Sequence, residues 1–185
     1  MSYLKRKTIR TNLGILTILW IESVFNYYLI AFEVKYFPGD INKNQLASLL
    51  AEAIGIMISG YLLTRVRGKY LFAASSFLAG ATGLFMMSST VKEAGSYFVL
   101  LVLIAKFGLI SGFNVIYIFH PKMFPTLFSM TSMGIMNIIS RLFTIFAPFV
   151  AEMDEPIPML TFTTLCFIAG TSALFLIEPE VAAEK

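Results

Sequence analysis

Four ionisable side chains stand deep inside long apolar runs of this 185-residue chain: Glu22, Glu52, Lys106 and Arg141. Two are acids and two are bases, so together they form an internally neutral set. A charge that faces hydrocarbon costs at least about 2.5 kcal/mol on insertion scales. These side chains must therefore meet one another or a wet cavity. The first outcome is a set of structural ion pairs that fixes helix register; the second is a polar pathway. Other chemistries have little support. The single His120 lies at the end of an apolar run, and the sequence holds no HExxH, no phosphate-cradling glycine loop and no Asp within a run. The one cysteine, Cys166, excludes a disulfide framework and a cysteine metal site. No enzyme activity, cofactor or metal is expected.

The elements that must carry these charges follow from composition. The chain is 57% hydrophobic and 14% charged, with a mean hydropathy of +0.78. A soluble domain of this length cannot cover so much apolar surface, which makes the chain an all-α, polytopic integral membrane protein with the lipid bilayer as its solvent. A bilayer core needs about 20 apolar residues per helix. Six stretches qualify, at about 12–37, 45–64, 70–90, 96–120, 126–151 and 157–177. The breaks between them carry turn residues, as in "PGDINKN" (38–44) and "EMDEPIP" (152–158). In "HPKMFP" (120–125) two prolines are expected to close the fourth span and open the fifth.

Lys and Arg set the orientation. Lys5, Arg6, Lys7, Arg10, Arg65, Arg67, Lys69, Lys122 and Lys185 fall on one side. Lys35, Lys43 and Lys92 fall on the other, with Glu152, Asp154 and Glu155. The first side is expected to be cytoplasmic and to hold both termini: a basic segment (1–11), the bundle (12–178) and a short tail (179–185). The apolar stretch after the basic segment is too long for a signal-peptide core. Because the cations flank the spans, orientation accounts for them and a nucleic-acid partner is not expected.

Helical spacing gathers polar residues on four spans. Glu22, Ser23, Asn26 and Tyr27 form a patch on the first; Ser48, Glu52, Gly55 and Ser59 share a face of the second. On the fourth, Lys106, Phe113, Asn114 and Tyr117 share a face, and on the fifth Gly134, Asn137, Arg141, Thr144 and Pro148 do. Four polar faces at similar depth describe a cavity. The third and sixth spans offer only small or weakly polar groups, with pairs at four-residue spacing (Ser76 and Gly80, Ala79 and Gly83, and Gly108 and Gly112 on the fourth) that suit close helix packing. "SVFNYYLI" (23–30) and "SGFNVIYI" (111–118) share Ser, Phe, Asn and Ile, an echo 88 residues apart that a pair of inverted three-helix repeats would produce.

These residues resemble a family. The chain is similar over nearly its whole length to the C-terminal six-helix half of a major facilitator superfamily transporter, of the organic cation and anion transporter branch. "LLAEAIG" resembles the eighth-helix motif with Glu52 on its glutamate, and "GYLLTRVRGK" resembles the loop motif G-x-x-x-D-R-x-G-R with Gly60 and Arg65 retained. "AKFGLISGFNVIYIFHPKMFPT" is similar to the tenth-helix signature and keeps Lys106, Gly108, Phe113, Tyr117, Pro125 and Thr126. "SRLFTIFAPF" resembles the eleventh-helix motif, and Pro179 with Glu180 resembles the terminal P-E-T. Departures are Thr64 for the loop acid, "RG" for "GR", Lys122 for the motif glutamate and Ser129 for its arginine.

The resemblance implies one half of a twelve-helix fold built from 3+3 inverted repeats, and secondary-active or facilitative transport of small organic ions. Tyr27, Lys106, Phe113, Asn114, Tyr117 and Arg141 become substrate-binding candidates, with Glu22 and Glu52 as intramembrane charge or coupling residues. Gly60, Arg65, Arg67, Lys122, Pro125, Thr126 and Glu180 become a cytoplasmic gating motif. Arg141 occupies a position that is basic in anion carriers, so anions are favoured over cations. The chain is expected to be a fragment, or a half that needs an N-terminal six-helix half or second subunit, in the plasma membrane. The rival is a non-transporting six-helix scaffold.

Overall fold

The computed structural model describes residues 3–87 and 96–177. Seven helices fill these residues: α1 (Tyr3–Glu33), α2 (Ile41–Leu62), α3 (Gly68–Met86), α4 (Ser96–Met123), α5 (Thr126–Thr144), α6 (Ala147–Ala151) and α7 (Ile157–Leu174). Among the described residues, five helical segments are long and apolar enough to cross a membrane. α3 is not one of them, because Ser75, Ser76, Thr82 and its glycines dilute its apolar residues, yet it is the helix buried between α4 and α7.

Local chemistry sets the ends. Gly39 takes a positive φ of 98°, and the Asp40 side chain accepts from the Asn42 backbone N–H at 2.8 Å, so α2 starts where turn and cap coincide. Three expected boundaries shift. α1 runs unbroken from Tyr3 through the basic segment, as its Lys, Arg and Leu favour helix, and stops at Glu33 rather than 37. Pro121 does not close the fourth span. α4 continues through it to Met123, because Met123 and Phe124 are buried in the core and the lost backbone bond falls in the last turn. The fifth span is broken after Thr144, and α6 restarts with Pro148 in its first turn. The expected end of the third span, the following loop and the tail from 179 lie outside the described residues.

The packing has a simple order. α1 contacts α4, α5, α6 and α7; α3 contacts α4 and α7; α2 lies on α4. Small residues make the α3 seams. A Cβ on Gly108 would stand 2.8 Å from the Ser75 carbonyl oxygen and 3.0 Å from the Ala79 nitrogen, so only glycine admits α4 this close to α3. A Cβ on Gly80 would meet Cys166 of α7 at 3.2 Å. α2 and α5 stay peripheral, each with a broad exposed apolar flank.

Candidate functional site

Between the two peripheral helices lies a cavity of about 420 Å³. α1 contributes Val24, Tyr27 and Tyr28, an i, i+3, i+4 set on one helical face. α2 contributes Glu52 and Ile56, α4 contributes Ile110, Phe113, Asn114 and Tyr117, and α5 contributes Asn137 and Arg141. The four helices with polar faces are the ones that wall it.

Five of the six substrate-binding candidates line this space: Tyr27, Phe113, Asn114, Tyr117 and Arg141. Lys106 does not. It is 2% exposed, with Nζ 3.7 Å from Glu52 Oε1 and 4.3 Å from the centre of the Tyr27 ring. Glu52 is 27% exposed and faces the cavity, so the wall presents the acid and the tyrosine while the lysine lies behind them.

Arg141 is placed differently. Its Nη1 donates to the Tyr28 hydroxyl at 2.9 Å, and its guanidinium carbon lies 5.7 Å from the same ring's centre. Glu52, the acid on the same cavity, is with Lys106, and among the described residues no carboxylate forms an ion pair with Arg141. Five guanidinium N–H groups suit a planar carboxylate or sulfonate, and one short bond to a phenol leaves most of them for a guest.

Neutral polar bonds brace the walls. Trp20 Nε1 donates to Asn137 Oδ1 at 3.2 Å, tying α1 to α5, and the Trp20 ring packs against Phe113 and Tyr117 at 5.9 and 5.7 Å. Asn114 Nδ2 donates to Ser59 Oγ at 2.9 Å and to the Ile56 carbonyl at 3.2 Å, tying α4 to α2. Each helix pair on the cavity is thus pinned by one amide.

Glu22 departs from the expected cavity. It is buried against α7, where Asn26 Nδ2, Ser23 Oγ and Cys166 Sγ donate to its carboxyl at 3.0, 3.2 and 3.4 Å. Glu22 and Tyr27 are five residues apart, which rotates them to different sides of α1. Asn26 looks toward α7 and Asn114 toward α2, so the sequence echo does not place its asparagines equivalently.

The gating-motif candidates gather at the end of the bundle that carries the N-terminus. Gly60 is half-buried near Asn114; Arg65, Arg67, Lys122, Pro125 and Thr126 are exposed, and Pro125 precedes the first residue of α5. Glu180 lies outside the described residues. Sequence reasoning passed over Tyr28, the hydrogen-bond partner of Arg141, although its spacing with Val24 carries the signal. It also passed over Trp20 as a cavity brace.

Membrane-length helices thus enclose a partly polar cavity with a guanidinium and a carboxylate on its wall. No family model matches the sequence. The chain is 25% identical over 182 residues to "Solute carrier family 22 member 4" of Mus musculus, covering 96% of this chain and 32% of that protein. It is 26% identical over 165 residues to "Organic cation/carnitine transporter 2" of Homo sapiens, covering 86% and 29%. It is 29% identical over 190 residues to "Organic anion transporter 3" of Mus musculus, covering 96% and 33%. Over most of its own length the chain is thus similar to organic cation and anion transporters of solute carrier family 22. It spans about a third of the length of these relatives. They are transporters, which supports the expectation that the chain is not an enzyme.

Proposed function

We propose that this chain acts as the C-terminal half of a transporter that moves small organic ions, with anions favoured over cations. The observation that carries the preference is the contrast between the two cations. Lys106 is buried and taken up by Glu52, whereas Arg141 reaches the cavity with only a tyrosine hydroxyl on it. The cavity's remaining acid is already neutralised, so the charge it offers a guest is positive. Tyr27, Tyr28, Phe113 and Tyr117 supply flat apolar faces beside it.

The 3+3 arrangement has support in the packing. Exchanging α1 with α4, α2 with α5 and α3 with α7 maps the main contacts onto themselves: α2 on α4 becomes α5 on α1, and α3 on α4 becomes α7 on α1. Such a half works by rocking against a complementary bundle around a midplane site. The proposal therefore includes an N-terminal six-helix half or a second subunit, both termini of the bundle in the cytoplasm and a plasma-membrane location.

The test is uptake by the chain joined to a complementary N-terminal half, with one labelled aromatic carboxylate and one labelled quaternary ammonium. Arg141→Ala should lower carboxylate uptake about 100-fold, the loss of a charge-assisted bidentate contact, at unchanged surface expression. Arg141→Lys should restore only part of it. Unchanged carboxylate uptake by Arg141→Ala would remove the anion reading, and wild-type uptake of the ammonium alone would reverse it.

A further inference from the structure

The end of the bundle that carries the N-terminus is strongly basic. Lys7 and Arg10 are exposed on the first turns of α1, Arg65 and Arg67 on the turn between α2 and α3, and Lys122 on the last turn of α4. Lys69 opens α3 beside them. Among the described residues no Asp or Glu stands at this end; Glu33, Asp40, Glu152, Asp154 and Glu155 are all at the other.

Close packing draws part of this charge into one cluster. A Cβ on Gly68 would stand 2.6 Å from the Phe119 ring, so the 65–69 turn is seated directly on α4. Phe119 is three residues before Lys122, which places Arg67 and Lys122 at one corner. The cations also sit on aromatic rings whose other faces are exposed. The Arg65 guanidinium lies 5.9 Å from the Tyr61 ring centre and Lys69 Nζ 5.1 Å from that of Tyr70; these tyrosines are 62% and 50% exposed. α3 contributes nothing to the cavity wall, so Tyr70 is exposed outside it. Exposed tyrosines at helix ends mark headgroup depth.

We propose that the corner formed by Arg65, Arg67 and Lys122 binds the headgroup of an anionic phospholipid. Positive residues immediately beside spans are drawn to acidic lipid, each strengthening the attraction about fivefold. The tyrosines hold these cations at the level of the lipid phosphate and carboxylate. Lys122 adds to the cluster where the resembled motif would place an acid, so among the described residues the corner carries charge of one sign.

The experiment uses the full chain purified in a neutral detergent and native mass spectrometry with equimolar phosphatidylserine and phosphatidylcholine of matched acyl chains. The wild type should retain phosphatidylserine in clear excess. Arg65→Gln, Arg67→Gln and Lys122→Gln together should bring the two lipids to near parity. Lys35→Gln with Lys43→Gln, at the opposite end, should leave the excess unchanged. If the triple variant fails to fold, Arg67→Gln alone should cut the excess about fivefold and Arg67→Lys should keep most of it. Equal retention of both lipids by the wild type would overturn the proposal, leaving the cations to orientation or to acidic side chains of a partner protein. An excess that survives the triple variant would overturn it as well. No transport is measured, so the outcome is independent of the substrate reading above.

Discussion

The cavity flank and the α3 seam are built from the same apolar stock and work in opposite ways. On the flank, the α1–α5 and α2–α4 pairs part around the cavity and line it with long polar and aromatic side chains: Glu52, Tyr27, Tyr28, Asn114, Asn137 and Arg141. On the seam, α3 meets α4 and α7 through Gly80, Gly83, Gly108 and Gly112, close enough that a methyl group would collide. In lipid nothing hydrophobic drives one helix against another, so close van der Waals contact must hold the seam. Across the cavity that device is lost, because the two helix pairs are separated there. Within the pairs, the Trp20–Asn137 and Arg141–Tyr28 bonds hold α1 to α5, and the two Asn114 bonds with the Lys106–Glu52 ion pair hold α2 to α4. The bundle thus places its glycine-lined contacts on one side and its long polar side chains on the other.

The largest effect should come from separating the Lys106–Glu52 pair, and it should depend on which partner is removed. Glu52→Ala strands a lysine that is 2% exposed, and should cost about 3–5 kcal/mol in denaturant unfolding of the detergent-solubilised chain. Lys106→Ala leaves Glu52, at 27% exposure, free to hydrate from the cavity, and should cost about 1–2 kcal/mol. Glu52→Gln with Lys106→Met should recover most of the loss. Equal costs for the two single variants would mean that the cavity is dry, which would erase the distinction between flank and seam.

A smaller effect tests the seam against the flank with one substitution. Gly108→Ala pushes a methyl group against the α3 backbone, which cannot yield as a side chain would, and should cost about 1–3 kcal/mol. Gly134 on α5 has nothing within 4 Å of a built Cβ. Gly134→Ala should stabilise by about 0.5–1 kcal/mol, since alanine loses less backbone freedom in a helix. Melting curves of the two variants under one detergent decide it. A destabilising Gly134→Ala would show that α5 is covered where the contrast requires it open.

Much of this was legible in the residues, for physical reasons that differ by element. Lipid forces every span to be apolar, so hydropathy alone placed the helices that hold Trp20, Ala51, Gly112 and Cys166. Periodicity gathered Asn114, Tyr117, Asn137 and Arg141, because a polar side chain at this depth must share a face with others. What periodicity lacks is rotation between helices. It grouped Glu22 with Tyr27, yet a carboxyl can also be satisfied by neutral donors, and Asn26 and Cys166 do this on the α7 side. The passage of α4 through Pro121 was hidden because burial of Met123 outweighs a single lost backbone bond.

The smallest expected effect lies at the rim, and it asks whether the flank's charges matter because they are charges or because they are deep. Lys35 Nζ lies 2.6 Å from Glu152 Oε1, shorter than the Lys106–Glu52 contact, but its side chains are 46% and 58% exposed. The Tyr36 hydroxyl donates to the same carboxylate. Hydrogen bonds from Lys35 and Tyr36 hold Glu152 below the ordinary 4.5, and the bond to Glu152 holds Lys35 above its ordinary 10.5. A depressed acid stabilises above its unfolded value and loses that contribution as pH falls through the lowered one. A raised lysine does so below its unfolded value and loses it as pH rises through the raised one. The pair is therefore fully effective between about pH 5 and 10. Water screens it throughout, and exposed pairs contribute little whatever their length. Glu152→Gln should shift the melting temperature at pH 7 far less than Glu52→Ala, and the small difference from wild type should disappear as pH falls through the lowered value of Glu152. If Glu152→Gln instead costs as much as Glu52→Ala, contact length rather than depth governs these pairs, and the low-dielectric account of the flank fails.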